Sequence, residues 1–365
     1  MRVSPVPLGP VPTVTLRDIA KVCGVSHGLV CRALRGRVGV APANREVILR
    51  TAKKLGYRPN PLVSILLSDV RKGVLSGRKA NLAWVNTTDS KNWWKVSQWD
   101  CGYLRGARER AEQMGFGLDE FWLHAKGMRP AALARTLKAR NIFGVIFPNA
   151  ALPASMDGFD WSRHASVLIN WAWPQSGFSR ASADAYGNLG LALNALTDRG
   201  FTRIGLHCQP EFDAQINNNQ LNSRYLHYSH ALPKAWRIPV LNAESNFPQA
   251  IEEMTAWLDR WKPEVIICQD NRLIDAIKTT GRRVPEDLSV VHLNLAADVT
   301  GWAGVDAGIE HISAAAVDLV VGQLGRNEFG NPSFSKVVTI AGEWRDGFTL
   351  ATPRSRTKPA HLQRQ

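Results

Sequence analysis

Residues 15–34 have the sequence TLRDIAKVCGVSHGLVCRAL, and they decide the fold of the N-terminal part of the chain. Apolar residues recur there at helical spacing and predict one short helix: Leu16, Ile19, Ala20 and Cys23. Thr15 is a suitable N-cap for this helix. Gly24 can end it, because glycine readily adopts the left-handed conformation of a C-cap. Ser26 can then cap a second helix over residues 27–34. The pattern is therefore helix, tight turn, helix.

A third helix follows after a short connection. Pro42 is suited to the first turn of a helix, and residues 45–55 continue the pattern. Gly56 is the expected C-cap, and Tyr57 is expected to pack back onto the helices. Three small helices around one apolar centre predict an all-α headpiece, which we place at residues 13–60.

The charge is concentrated around this headpiece. The 365 residues carry a formal net charge of +14. Residues 1–80 hold 15 of the 45 Lys and Arg residues but 3 of the 31 Asp and Glu residues, for a net charge of +12. Residues 353–365 add four basic residues, which leaves residues 81–352 at −2. A basic segment on a near-neutral body indicates a polyanionic partner.

Helix-turn-helix units bind DNA with the second helix in the major groove. The outward residues near the start of that helix are His27, Gly28 and Arg32, with Leu29 beside them. Arg32 can form paired hydrogen bonds with guanine. Basic residues expected to contact phosphates are Arg17, Lys21, Arg35, Arg37 and Arg45. The alternative is a small helical bundle with a solvated basic face.

Residues 61–79 are interpreted as a hinge and linker. Asn60 lies between two prolines and can cap a short apolar helix over residues 62–68. Basic residues flank this helix, which suits insertion into a minor groove. A linker that packs on the following domain explains the same composition equally well.

Several classes of protein are excluded by the same sequence. No apolar run approaches the 18 residues that a membrane span needs. The first twelve residues contain four prolines and lack the apolar region of a secretion signal, so we expect a disordered tail over residues 1–12. The five cysteines are scattered and form no CxxC pair, which disfavours a disulfide framework or a zinc site and fits a reducing cytoplasm.

The headpiece and hinge closely resemble those of the LacI/GalR, or lactose-repressor-type, family of transcriptional regulators. The resemblance is gapless over about fifty residues, from VTLRDIAKVCGVSHGLVCRALRG to LGYRPNPLVSILL. It implies that His27 and Gly28 occupy the main specificity positions, that Arg32 contacts bases or backbone, and that Leu66 inserts into the minor groove. Departures from the family pattern are Cys31 in place of the usual Ser, Gly28 in place of a side chain, and Val63 in place of a small residue. The DNA-contacting residues predicted in all are Thr15, Arg17, Ser26, His27, Gly28, Leu29, Arg32, Asn60, Val63 and Leu66.

Residues 80–352, which we call the body, alternate short apolar runs with amphipathic segments. The predicted strands cover 81–86, 117–123, 143–147, 166–170, 203–208, 237–241, 265–268, 289–293 and 336–342. The predicted helices cover 102–114, 131–140, 188–199, 247–260, 271–280 and 312–324. This alternation predicts two doubly wound parallel sheets, that is, an α/β domain with two lobes. The resemblance extends here more loosely and implies an effector domain like periplasmic binding proteins, with crossovers between lobes near residues 182, 306 and 333. Residues 353–365 are expected to be a basic disordered tail.

Ligands of such sheets bind beyond the carboxyl ends of the strands. Residues at predicted strand ends are Thr87, Trp93, Trp94, Asn149, Asn170, Trp171, Gln269 and Asp270. The resemblance adds Asp184 as an acidic landmark and places Gln215, Asn217 and Asn219 in the effector loop. Gln215 stands where the family commonly has Arg, and Asn294 replaces a usual Asp. Aromatic rings with amides and carboxylates suit a sugar-like ligand. The alternative, which we expect for most of the Trp residues, is a place in the core or on a dimer surface.

These features predict a cytoplasmic homodimeric regulator, a repressor, that binds a pseudo-palindromic DNA operator and responds to a small-molecule effector such as a carbohydrate. No catalytic motif, metal site or cofactor fingerprint is present, so we expect neither enzymatic activity nor a cofactor. Two alternatives share the body: a solute-binding protein of a transporter, and an α/β enzyme fused to a DNA-binding unit.

Overall fold

The computed structural model describes residues 16–34, 40–55, 57, 80–87, 98–148, 156–171, 177–242, 248–295 and 299–352. The predicted tails at 1–12 and 353–365 and the predicted hinge at 61–79 lie outside these residues. The chain forms two compact units, one containing the N-terminal helices and the other containing two β-sheets.

The headpiece consists of helices α1 (Leu16–Cys23), α2 (His27–Leu34) and α3 (Pro42–Lys54). Its turn has the predicted chemistry: Gly24 adopts a φ of +63°, and the N–H of Leu29 donates to Oγ of Ser26 at 3.3 Å. The buried core is small and is contributed by all three helices: Ile19, Ala20, Val30, Ala33, Ile48 and Ala52. Tyr57 packs against this core, as expected. Gly56 lies outside the described residues, and Leu55 takes the C-cap position of α3.

The first lobe is built on a six-stranded sheet, all parallel, with the order β10-β5-β4-β3-β1-β2. Its strands are β1 (Ala80–Asn86), β2 (Phe116–Trp122), β3 (Gly144–Phe147), β4 (Ala165–Ile169), β5 (Ser179–Ala183) and β10 (Val337–Ile340). Its helices are α4 (Gln98–Gln113), α5 (Pro130–Arg140) and α10 (Ile309–Arg326). Leu133 and Leu137 of α5 pack on one face of the sheet. On the other face, Val320 and Leu324 of α10 lie over Gly144.

Helices α4 and α10 approach each other closely through glycine. A β-carbon added to Gly106 of α4 would lie 2.3 Å from the carbonyl oxygen of Glu310 in α10. No side chain fits at that position while the helices keep this spacing. A β-carbon at Gly102, one turn earlier, would meet the flexible Cγ2 of Ile309 at 3.2 Å.

The second lobe is built on a five-stranded sheet with the order β11-β9-β8-β7-β6, in which β11 alone runs antiparallel to its neighbour. Its strands are β6 (Ile204–Leu206), β7 (Val265–Cys268), β8 (Ser289–His292), β9 (Ala303–Asp306) and β11 (Glu343–Arg345). Its helices are α6 (Ala185–Asp198), α7 (Gln220–Ala231), α8 (Pro248–Trp261) and α9 (Leu273–Thr279). The shorter helical segments of the body are Trp161–Arg163, Pro210–Phe212, Asp213–Asn217 and Lys234–Trp236. Alternate residues of β7 face the α6–α7 layer and the α8–α9 layer, so helices cover both faces.

The structure confirms the predicted fold class and corrects some elements. The predicted strand at 237–241 makes a single bridge, between Leu241 and His207. Pro239, in the middle of that run, lacks the N–H that a paired strand donates. Strands β5, β9 and β11 and helix α7 were not predicted.

The chain passes between the lobes three times. It leaves the first sheet after β5 and returns to it between β9 and β10. The third passage lies at residues 341–342 and not near 333, because β10 still pairs with β5 of the first sheet. Gly342 fits tightly at that passage, where a β-carbon would lie 2.7 Å from the carbonyl oxygen of Asp306.

Candidate nucleic-acid interface and ligand cleft

Helix α2 presents one face to solvent. His27, Gly28 and Arg32 are exposed, whereas Val30 and Ala33 are buried in the headpiece core. Leu29, which was predicted to lie beside the DNA contacts, is half-buried and packs against that core. It therefore has a structural role as well. Ser26 caps α2 through the Leu29 N–H. The imidazole of His27 and the guanidinium of Arg32 on this face can both act as hydrogen-bond donors.

The predicted phosphate contacts lie around this face only in part. Arg17 and Lys21 of α1 are exposed, and Arg45 of α3 is half-buried. Thr15, Asn60, Val63 and Leu66, like Arg35 and Arg37, lie outside the described residues.

Gly28 leaves open space on the exposed face of α2. A β-carbon there would meet no heavy atom within 4 Å apart from the helix's own nearby backbone. We expect Gly28→Ala to stabilise the headpiece by about 0.4–1 kcal/mol, because alanine fits this conformation without strain and loses less backbone freedom on folding than glycine does. Thermal melting would measure this gain, and binding selection on randomised duplexes should show an altered base preference. A destabilised headpiece would contradict the open environment.

The body has a narrow cavity between its two lobes, with a volume of about 20 Å³. It lies where the carboxyl ends of strands β4 and β5 face those of β7, β8 and β9, as expected for parallel sheets. Its polar lining residues are Tyr103, Asn170, Asn188, Asn217, Gln269 and Asn294. None of the described lining residues carries a charge. We call this cavity the inter-lobe cleft.

The amides of the cleft are arranged by mutual hydrogen bonds. Nδ2 of Asn170 donates to the Tyr103 hydroxyl at 3.3 Å. Nδ2 of Asn217 donates to Oε1 of Gln269 at 2.9 Å. Oδ1 of Asn294 is buried and accepts no hydrogen bond from any described residue. A buried acceptor without a partner is costly, so Asn294 is positioned to accept a hydrogen bond from a ligand.

Of the predicted effector residues, Asn170, Asn217 and Gln269 line the cleft. Asn170 has a left-handed backbone, with a φ of +61°. The other predicted effector residues that are described lie elsewhere. Oδ1 of Asp184 caps α6 by accepting from the Gly187 N–H at 2.9 Å. Asp270 forms a two-point ion pair with Arg272, at 3.0 and 3.2 Å.

The remaining predicted effector residues do not line the cleft either, or lie outside the described residues. Thr87 is buried, and its carbonyl oxygen lies 3.0 Å from Nε2 of His124. The ring of Trp171 lies under the Arg180 guanidinium, 4.6 Å away. Asn219 is exposed at the start of α7. Trp93, Trp94, Asn149 and the Gln215 side chain lie outside the described residues.

Sequence reasoning missed Tyr103 and Asn188 as site residues. Asn188 lies within the apolar, buried face of α6, where its Oδ1 accepts from the Gly342 N–H at 2.8 Å. A buried polar residue in an apolar helix face was the signal that could have identified it. Gln269 and Asp270 were predicted together at the end of one strand, and of the two Gln269 lines the cleft.

His292 forms part of the structure behind the cleft. It is buried at the end of β8, and its Nδ1 accepts from the Asn294 N–H at 3.2 Å. Burial lowers the pKa of His292 to about 4 from its ordinary value of 6.5. The imidazole is therefore neutral near pH 7 and holds the backbone that carries Asn294.

This buried imidazole predicts an acid-sensitive body. Between pH 6.5 and pH 4, His292 is protonated in the unfolded state but stays neutral in the folded state. The free energy of unfolding therefore falls as pH is lowered through this range. The loss should approach about 3 kcal/mol, from about 1.4 kcal/mol for each pKa unit. Urea denaturation at pH 7 and pH 4 would measure it. An unchanged pH dependence in His292→Gln would contradict this assignment.

Two further observations concern the part of the chain that the structure describes. None of its helices has the length and apolar character to cross a bilayer. It shows no group of three His, Cys, Asp or Glu side chains placed to hold a metal ion.

Both units of the chain match models of known protein families. Residues 15–60 match the family described as bacterial regulatory proteins of the lacI family, and residues 193–341 match a periplasmic binding protein-like domain. The transcriptional regulator CelR of Thermobifida fusca is 24% identical over 295 residues, which cover 76% of this chain and 81% of CelR. The repressor PurR of Vibrio vulnificus is 21% identical over 296 residues, covering 76% and 80%.

Solved structures share the fold. A complex of the regulator CelR with cellobiose has a TM-score of 0.56 and 18% identity, covering 92% of this chain and 99% of that one. The lac repressor dimer bound to operator and the anti-inducer ONPF has a TM-score of 0.52 and 17% identity, covering 93% and 100%. With a lacI-type helix-turn-helix unit followed by a periplasmic binding protein-like body, the chain belongs to the LacI family and is a DNA-binding transcriptional regulator.

Proposed function

We propose that this regulator is a cytoplasmic repressor whose affinity for its operator is set by a neutral, polyhydroxylated molecule, such as a sugar, bound in the inter-lobe cleft. The observation that carries the ligand class is the lining of the cleft, which has five amide side chains and a phenol but no described charge. Amides supply both donors and acceptors, as hydroxyl groups require. A carboxylate or phosphate would find no positive partner among the described lining residues.

The size of the cleft indicates that the lobes close around a ligand. About 20 Å³ holds roughly one water molecule, whereas small-molecule sites measure about 300–1,000 Å³. A sugar can therefore enter only if the lobes separate, and the three passages between lobes are the places where such motion is absorbed. A ligand that favours one lobe arrangement would change operator affinity by about 5- to 150-fold.

The DNA-binding part of the proposal assigns roles to the headpiece. His27 and Arg32 contact base edges, Gly28 allows close approach, and Arg17 contacts phosphate. Domain limits of 13–60, 61–79 and 80–352 for headpiece, hinge and body complete the assignment. A homodimer would place two headpieces on a pseudo-palindromic operator. The lac repressor dimer bound to operator, which shares the fold, supports this arrangement.

The ligand class can be tested by calorimetry on the full chain with neutral mono- and disaccharides, including cellobiose, and with their uronic acid counterparts. We expect a neutral sugar to bind and to be released unchanged. Binding should be lost in Asn294→Leu and kept in Asn219→Ala, whose side chain is exposed outside the cleft. Preferential binding of the acids, or a chemically altered sugar, would overturn the proposal.

A further inference from the structure

The body has a second pocket, of about 370 Å³, that shares no lining residue with the inter-lobe cleft. One side is formed by α4 and the start of α10, from the first lobe. The other is formed by residues 299–302 and by Asp306 and Arg345, at the ends of β9 and β11 in the second lobe. Its volume falls within the range of about 300–1,000 Å³ that small-molecule sites occupy.

The two cavities lie back to back across a thin wall. Asn294 lines the cleft and Leu295 lines the second pocket, and likewise Ala307 lines the cleft and Asp306 the pocket. The N–H of Leu295 donates to the carbonyl oxygen of Val305 at 2.9 Å, which ties the two segments of this wall together. A ligand in the second pocket that displaces Leu295 or Asp306 therefore also moves the backbone of their neighbours Asn294 and Ala307, which line the cleft.

A second contact joins the same two cavities. Trp302, in the pocket lining, meets the ring of His292 edge-on, with centroids 5.8 Å apart. His292 holds the Asn294 N–H. The pocket and the cleft are thus linked through two sets of direct contacts.

Each of the five charged side chains among the described lining residues of the pocket pairs with a group of opposite sign. Asp346 pairs with Arg199, outside the lining, at 2.6 Å. Within the pocket, Arg105 pairs with Glu310, and Nη2 of Arg345 lies 3.7 Å from Oδ2 of Asp306 and 3.1 Å from Oε2 of Glu343, which lies outside the lining. Both guanidiniums are more than half exposed, and such surface pairs contribute little to stability. They can exchange partners with a ligand.

A ligand with one positive and one negative group can replace both members of an ion pair, so no charged side chain of the pocket is left unpaired. A ligand with a single charge leaves one charged side chain unpaired. A neutral ligand forms no ion pair in the pocket.

We propose that this pocket is a second effector site for a small zwitterion of the amino-acid class, with its carboxylate on a guanidinium and its ammonium on a wall carboxylate. Binding there bridges the two lobes and orders the wall at residues 292–295 and 303–307. It therefore acts on the cleft without competing for it.

The test is a thermal-shift screen of the full-length chain with the common L-amino acids, their N-acetyl derivatives and their amides, and neutral sugars. We expect at least one amino acid to raise the melting temperature and both singly charged derivatives to raise it less. Hydrogen exchange should then slow in peptides covering residues 289–295 and 303–308. This readout needs no cleft ligand, so its failure is distinct from failure of the proposed sugar response.

Variants locate the site. The shift should be lost in Arg105→Gln and in Arg345→Gln, and kept in Arg272→Gln, which removes an exposed arginine paired with an acid outside the pocket. It should also be kept in Asn294→Leu. Absence of any shift, a shift with neutral sugars alone that needs Arg345, equal shifts with the derivatives, or loss in Asn294→Leu in place of the pocket variants would each overturn the proposal.

Discussion

Replacement of Arg32 by Ala is expected to weaken binding to the preferred operator by about 5- to 150-fold, the equivalent of about 1–3 kcal/mol. Arg32 lies on the exposed face of α2, and its neighbours Val30 and Ala33 are buried, so the headpiece core is unaffected by the change. The loss should concentrate at one base pair, because a guanidinium that pairs with guanine discriminates at that position. Fluorescence anisotropy with the operator and with single-base variants would measure both effects.

Arg17→Ala is the matched control, since Arg17 is an exposed arginine on the neighbouring helix α1. As a phosphate contact it should lower affinity by a similar factor for all duplexes and reduce the salt slope by about one. If Arg32→Ala instead weakens every duplex equally, Arg32 is a phosphate contact and base recognition depends on His27.

Replacement of Gly106 by Ala is expected to destabilise the body by about 3 kcal/mol. The new methyl group would lie 2.3 Å from a backbone oxygen of α10, so two packed helices must separate. A flexible side chain could move aside at small cost, but a helix backbone cannot. Chemical denaturation followed by the fluorescence of the tryptophans, all of which lie at residue 84 or later, would measure the loss.

Gly102→Ala, one turn earlier on the same helix, separates packing from helix propensity. Both variants gain about 1 kcal/mol of intrinsic helix preference. At Gly102 the methyl group meets only the end of the Ile309 side chain at 3.2 Å. We expect its stability to stay within about 1 kcal/mol of the unmodified chain. Equal destabilisation by the two substitutions would show that close approach of α4 and α10 is not the cause.

The headpiece could be predicted almost residue by residue, because its signals are local. Gly24 and Ser26 mark one turn, and α2 spans the predicted residues 27–34. Strand β7 was likewise predicted with its observed bounds, since Val265–Cys268 is a short apolar run buried on both faces. In contrast, β5 has the sequence SRASA, with no apolar run, and is held as a strand by pairing with β4 and β10 on either side.

The cleft was predicted at the correct edge of the sheets but with only part of its lining. The strand-end rule locates a loop to within one or two residues, whereas the direction of each side chain depends on contacts across the fold. Gln269 lines the cleft while Asp270 turns to Arg272. Tyr103 reaches the cleft from α4, far from any strand end.

The third passage between the lobes has a consequence for synthesis of the protein. The sheet of the first lobe needs β10, and its second face needs α10, so this lobe stays incomplete until residue 340 has been made. The headpiece is complete at residue 57. At about 5–20 residues per second, roughly 15–60 s separate the two events on the ribosome. A folded, positively charged headpiece therefore leaves the ribosome well before the body that controls it.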